Sequence, residues 1–240
     1  MVNAAEIKEL VYASGADLCG IASVDRFSNA PEGFNPIDIY PDTKSVVVFA
    51  KKIPESIYFT KSHIPYSFVG DIVLHEILRL TYEVSLRLEK FHISAVPIPS
   101  EPYEYWDNEN MTGRAILSLK HAGYLAGLGV IGRNSLLSNP EFGTLIQLGA
   151  VITNAETEAD QIMAYDFCKD TCNLCIESCP SGALISRETV IQKNCRMNSE
   201  GSTFKGASVT VCNICRKVCP YRAGWKIERI SQIARSKRQN

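Results

Sequence analysis

Eight of the nine cysteines in this 240-residue chain lie between residues 168 and 219, and only Cys19 stands outside that stretch. Cys172-x2-Cys175-x3-Cys179-Pro180 recurs as Cys212-x2-Cys215-x3-Cys219-Pro220. Closely spaced cysteines let one loop wrap a cubane iron–sulfur cluster, and the cysteine before proline opens a helix that carries its sulfur toward a second cluster. Proline suits that first helical turn, where no amide donor is needed. Two clusters need eight thiolates, and eight are present. Three residues rather than the usual two separate Cys168 from Cys172, which widens the loop without preventing ligation. The second run has no cysteine immediately upstream, so Cys195 supplies its missing thiolate. The expected sets are Cys168, Cys172, Cys175 and Cys219 for one 4Fe-4S cluster, and Cys195, Cys212, Cys215 and Cys179 for the other. Structural zinc on the two Cys-x2-Cys hooks would leave four cysteines idle, two of them before proline. Cys19 reads as a small buried hydrophobe.

The elements that must hold these thiols come in two compositional blocks. Residues 1–160 read as a mixed α/β domain. A first helix over residues 4–14 stops at Gly15, strands are expected at Leu18–Ala22, Ser45–Ile53, Ser94–Ile98 and Thr144–Thr153, and a second helix is expected over about Arg114–Ala126. Between Asp71 and Phe91, Ile77, Leu80, Val84, Leu88 and Phe91 repeat at three and four residues, the pattern of a long amphipathic helix. The acidic, apolar-poor stretch Asn154–Asp160 is a linker. Residues 161–240 form the cysteine domain and end in a basic tail carrying Arg222, Lys226, Arg229, Arg235, Lys237 and Arg238. The fold class is α+β. A formal net charge of −1 and a pI near 6.4 exclude a surface built wholly for nucleic acid. No apolar run approaches the roughly 20 residues of a membrane helix, and the N-terminus lacks a secretory signal, so a cytoplasmic protein is expected. A reduced cytosol disfavours a disulfide framework, which again points the thiols to metal.

Gly127-Leu128-Gly129-Val130-Ile131-Gly132 matches the G-x-G-x-x-G string of dinucleotide sites. However, it follows a helical stretch rather than a strand, which argues against that use. With Arg133-Asn134-Ser135-Leu136-Leu137 and Asn139-Pro140-Glu141-Phe142-Gly143 it resembles the central motif of the epoxyqueuosine reductases, cobalamin-dependent relatives of the reductive dehalogenases. The cysteine order, with Cys195 between the two runs, is also similar to theirs, and the likeness spans about residues 115–221.

That resemblance implies a nitroreductase-like α/β domain followed by a ferredoxin-like domain with two 4Fe-4S clusters. Electrons would pass from a donor protein such as a ferredoxin or flavodoxin, through both clusters, to cobalamin in the N-terminal domain. Flavin is the alternative occupant, because nitroreductase-like folds commonly hold it. Gly127, Gly129, Gly132, Arg133, Asn134, Pro140 and Gly143 are the expected cofactor contacts, with the helix around Ile77–Phe91 as a floor. The family's acidic proton donor, in a Val-Asp context, has no counterpart in the longer stretch Ile98–Asp107. Tyr103, Glu104, Tyr105 and His121 are therefore the candidate catalytic residues. The acceptor is a small molecule or protein. No tight, specific tRNA binding is expected of a near-neutral chain with one short basic tail and no further helical repeats after Cys219. The competing reading is an electron-transfer protein that reduces a partner without a catalytic cofactor of its own.

Overall fold

The computed structural model describes residues 3–164, 167–169, 171–187 and 189–225. Helix α1 (Ala4–Ala13) starts in a reciprocal capping box between Asn3 and Glu6. It leads into β1 (Leu18–Ser23), the short helix α2 (Pro36–Ile39) and β2 (Ser45–Lys52). The long helix α3 (Ile64–Glu89) precedes β3 (Ala95–Ile98), a hairpin of β4 (Tyr105–Asp107) and β5 (Thr112–Arg114), and α4 (Leu119–Leu125). A second hairpin, β6 (Val130–Ile131) and β7 (Leu137–Ser138), is followed by β8 (Ile146–Thr153).

Four strands form one antiparallel sheet in the order β1-β2-β8-β3. Its central strands are nearly continuous Val, Ile, Leu and Ala because both faces are covered. Val47, Phe49 and Val151 point to α1 and α3, where Ile7, Val11, Ile77, Leu80, Val84 and Leu88 close the core. Val46, Val48, Ala150 and Ile152 point the other way, to Ala122, Ala126, Leu128 and Leu137. Pro97 lies in β3, an edge strand, where the missing amide breaks no central ladder.

Two expectations change here. Ile77 to Leu88 pack on the α1 side of the sheet and Phe91 is exposed, so the Ile77–Phe91 stretch does not border the large cavity described below, which α3 reaches only through Tyr66 near its start. The second helix begins at Leu119 rather than Arg114, because Thr112–Arg114 are paired with Tyr105–Asp107 as the β4–β5 hairpin.

The cysteine-rich region is mostly turns, with α5 (Leu174–Glu177), α6 (Gln192–Ser199), a ribbon of β9 (Glu200–Ser202) and β10 (Ser208–Thr210), and α7 (Ile214–Lys217). The stretch read as a linker is tied to the sheet: Asp160 donates its amide to the Ile21 carbonyl at 2.8 Å, accepts the Ile21 amide at 2.8 Å and pairs with Lys8. Lys226 and the rest of the basic tail lie outside the described residues. No helix among the described residues is long and apolar enough to cross a membrane.

Candidate redox site between the α/β and cysteine regions

The thiols separate into two neighbourhoods. Cys168, Cys172, Cys175 and Cys219 surround a small void of about 30 Å³ that is closed by Gly132, Arg133, Phe167 and Tyr221. Cys179, Cys195, Cys212 and Cys215 line a cavity of about 1170 Å³ between the two regions. Each prolyl cysteine thus sits with the distant run: α5 carries Cys179 away from Cys175, and α7 carries Cys219 away from Cys215.

The electrostatics divide the same way. Burial, reinforced by Cys168, Cys175 and Cys172, pushes the Cys219 thiol up to about 11. Burial, then Cys212 and Cys179, raises Cys195. Burial also takes Cys215 to about 11, with Arg216 opposing and Cys195 and Cys212 adding to the rise. At Cys179 burial is outweighed by hydrogen bonds from Ser181 and from the backbone of Leu184 and Ala183, and its pKa falls. Cys19, buried alone, is pushed up to about 12. Holding Cys175, Cys195, Cys215 and Cys219 where burial disfavours their ionisation makes physical sense if a metal centre stabilises the thiolates. No three His, Cys, Asp or Glu side chains among the described residues stand close enough to share one metal ion. Zinc would draw its sulfurs to about 2.3 Å from a single atom, whereas a cubane spreads its ligands around a larger body.

The β6–β7 turn lies between the two thiol groups. The Arg133 amide donates to Cys168 Sγ at 3.3 Å, and Asn134 Nδ2 donates to the Cys215 carbonyl at 3.5 Å. Asn134 borders both cavities. The cysteine region is also held through the Asn139–Gly143 turn, where the Thr144 amide donates to the Arg222 carbonyl at 3.0 Å and the Trp225 amide to Pro140 at 2.8 Å. Phe167 stacks on Trp225 at 4.4 Å beside Val130.

The other expected contacts divide. Gly132 and Arg133 border the small void and Asn134 both cavities, whereas Gly127, Gly129, Pro140 and Gly143 border neither. A Cβ at Gly129 would stand 2.2 Å from the Ser138 carbonyl oxygen, at Gly127 2.4 Å from that of Gln161, and at Gly143 2.2 Å from that of Arg222. At these three positions the missing side chain admits neighbouring backbone. Tyr103 lines the large cavity, accepts a hydrogen bond from Arg196 Nη2 at 2.7 Å and stacks on Trp106. Glu104 and Tyr105 are exposed and do not line it. His121 does, with Nδ1 2.7 Å from Ser118 Oγ.

Sequence reasoning passed over five cations of the cavity wall, one of them Arg26, which donates to the Leu125 and Asp160 carbonyls. Lys120 donates to Ser135 Oγ at 2.6 Å, and burial lowers its pKa. Arg114 lies over the Phe34 and Tyr105 rings. Arg196 and Arg216 each follow a cysteine of the cavity group directly, and that adjacency was the available signal.

The chain thus sets an α/β sheet domain with a doubled cysteine run against a deep chamber. An epoxyqueuosine reductase of Listeria monocytogenes is 33% identical over 108 residues, covering 41% of this chain and 28% of its own length. That of Staphylococcus aureus is 24% identical over 256 residues, covering 93% of this chain and 65% of its own length. No protein-family model matches. The solved epoxyqueuosine reductase of Streptococcus thermophilus superposes with a TM-score of 0.64 at 19% identity, over 91% of this chain and 65% of that one. An epoxyqueuosine reductase solved with a tRNA-Tyr epoxyqueuosine-modified stem loop gives 0.59 at 19%, over 90% and 64%. A reductive dehalogenase whose structure suggests a mechanism for B12-dependent dehalogenation gives 0.63 at 18%, over 95% and 33%. The chain is similar to the epoxyqueuosine reductases, and it spans between 28% and 65% of the length of these two curated relatives.

Proposed function

We propose that the chain is an iron–sulfur oxidoreductase of epoxyqueuosine reductase type, with a 4Fe-4S cluster in each thiol group and a corrinoid in the large cavity. The observation that carries this reading is the division of eight cysteines into a group around a small void and a group on the wall of a chamber of about 1170 Å³. That volume exceeds the 300–1,000 Å³ typical of small-ligand pockets and suits a large cofactor. The clusters would supply low-potential one-electron transfer and the corrinoid the reductive step that side chains cannot perform. The spatial order of small void, Asn134 turn, second thiol group and chamber gives electrons from a donor protein a direct route inward.

The chain's own residues fill the remaining roles. Tyr103, fixed by Arg196, and His121, fixed by Ser118, are the proton-holding groups on the chamber wall among the four expected catalytic residues. Phe27, Phe34 and Leu117 exclude water from it. Arg133 holds Cys168 through its amide. Equilibrium dialysis of anaerobically reconstituted protein with cob(II)alamin, read with the cobalt EPR spectrum, tests the reading. Stoichiometric binding of cob(II)alamin is expected. If cluster-loaded protein binds no corrinoid and carries no flavin, the reading passes to an electron carrier that reduces a partner.

A second expected result concerns the turn. Hydrogen bonds to cluster sulfurs are among the features that set the potential. Arg133→Pro, which removes the amide, should lower the potential of one cluster by about tenfold in its reduction equilibrium, or ~59 mV for one electron. Arg133→Ala keeps the amide and should leave it unchanged. EPR-monitored redox titration of both variants decides.

A further inference from the structure

Two arginines directly follow a cysteine of the chamber group, Arg196 after Cys195 and Arg216 after Cys215. Arg196 has a carboxylate partner, Glu200 at 3.8 Å, and lies about 5 Å from both the Tyr103 and Trp106 ring centres. Arg216 pairs with no carboxylate among the described residues. The side chain is half-buried as a whole, but its tip reaches inward: Nη1 donates to the Thr144 carbonyl at 2.5 Å and to the Tyr58 hydroxyl at 3.4 Å, and those two residues are 1% and 2% exposed. Both partners are neutral. Withdrawing a cation from water without a counter-charge is costly, and hydrogen bonds to neutral oxygens offset only part of that cost.

The negative charge within reach is that of the thiol group itself. Arg216 opposes the burial-driven rise of the Cys215 pKa, so the two sites feel each other's charge. Four thiolates outweigh the positive charge of a cubane core, so a loaded 4Fe-4S site is an anion, and the electron it accepts makes it more negative. A cation beside it therefore favours the reduced form. The doubled run contains its own comparison. Its halves read Cys172-Asn173-Leu174-Cys175-Ile176-Glu177 and Cys212-Asn213-Ile214-Cys215-Arg216-Lys217, and α5 and α7 are matching single turns. Ile176 and Arg216 thus occupy equivalent places, one beside each thiol group. On the void side Arg187 meets the backbone instead, donating to the Cys168 carbonyl at 2.6 Å.

We propose that Arg216 is the internal counter-charge of the chamber-side cluster and raises its reduction potential, and that the charge of the residue after the second cysteine of each run is a separate control on each cluster. This rests on each thiol group holding a 4Fe-4S cluster and is independent of what fills the chamber. One electron supplied by a donor protein is then held beside the chamber more firmly than the thiolates alone allow. Arg216 acts through the cluster and is a positioning residue. Its bonds to Thr144, just before β8, and to Tyr58 fix the charge to the α/β region, so the distance from guanidinium to thiol group is set by the packing of the two regions.

EPR-monitored redox titration with dithionite, on protein loaded with iron and sulfide but no corrinoid, tests the proposal. Arg216→Gln keeps a donor for Thr144 and drops the charge. It should make the chamber-side cluster about tenfold harder to reduce, a fall of ~59 mV for one electron, and leave the void-side cluster unchanged. Arg216→Lys should keep most of the wild-type potential. Cys179→Ala and Cys219→Ala, each retaining one cluster, identify the two signals. No shift in Arg216→Gln, an equal shift of both clusters, or a lysine variant as low as the glutamine one would overturn the proposal. If Arg216→Gln loses iron or fails to fold, Ile176→Arg decides: a guanidinium there should raise the void-side potential by a similar factor, and no rise counts against the proposal. Iron and sulfide analysis of the same wild-type sample reports on the clusters themselves. Their absence would take down the cluster reading as well, whereas intact clusters with an unshifted potential would sink this proposal alone.

Discussion

Cys179→Ala and Cys219→Ala should each cut the iron content of reconstituted protein from about eight to about four atoms per chain, and each should spare the cluster nearest in sequence. Cys179 is four residues from Cys175, but it lines the chamber with Cys195, Cys212 and Cys215. Cys219 is four residues from Cys215, but it closes the void of Cys168, Cys172 and Cys175. Double variants separate this from general instability, because ligands of one cluster fail as a unit and ligands of two clusters do not. Cys179→Ala with Cys195→Ala should lose no more iron than either change alone. Cys179→Ala with Cys175→Ala should lose nearly all of it. Iron and sulfide analysis with EPR of the reduced protein makes the comparison. Four irons surviving in the Cys175/Cys179 double variant would mean that those two thiols share a cluster, and the crossed assignment would fall.

The cysteine spacing could be read early because ligation is local covalent chemistry: a proline after a cysteine and a thiolate count constrain the answer without knowledge of packing. The central strands were legible for a related reason. Val46 to Ala50 and Ile146 to Ile152 sit in a sheet covered on both faces, so their burial needed no periodicity to reveal it. Arg114 to Ser118 were harder. Their helical pattern competed with strand pairing of Thr112–Arg114 against Tyr105–Asp107, and the winning contact, Gly113 with Gln192, comes from 79 residues away. The glycines posed a different problem. A glycine string says that no side chain fits, and it does not say whether a ligand or another piece of backbone takes the space. Lys120, Arg114 and Arg216 escaped notice because a cation on a cavity wall looks, in sequence, like any solvated charge. Only the fold shows that carboxylates are scarce around them.

The altered reading of the glycines changes what their substitution should do. Gly129→Leu would drive a side chain into the Ser138 carbonyl and break the β6–β7 hairpin, so it cannot report selectively on a cofactor. Gly143 gives the cleaner experiment. Its φ of 59° is left-handed, which costs a side-chain-bearing residue roughly 1–3 kcal/mol. In addition, a Cβ there would lie 2.2 Å from the Arg222 oxygen and 2.3 Å from the Tyr221 oxygen, both backbone atoms just after Cys219. These atoms cannot rotate away, and the Thr144 amide, two residues before β8, is tied to the same Arg222 carbonyl. Gly33 is the matched control, with φ 81° and nothing within 4 Å of the added carbon. Gly33→Ala should therefore lower the melting temperature by only a few degrees, in keeping with about 1 kcal/mol. Gly143→Ala should lower it by at least twice as much. It should also speed iron release from the cluster that holds Cys219, since the clash pushes residues 221 and 222 away from the α/β region. Circular dichroism melts and chelator-trapped iron release, run side by side on both variants, check this. Equal melting temperatures for the two would mean that the Asn139–Gly143 turn does not clamp the cysteine region in solution.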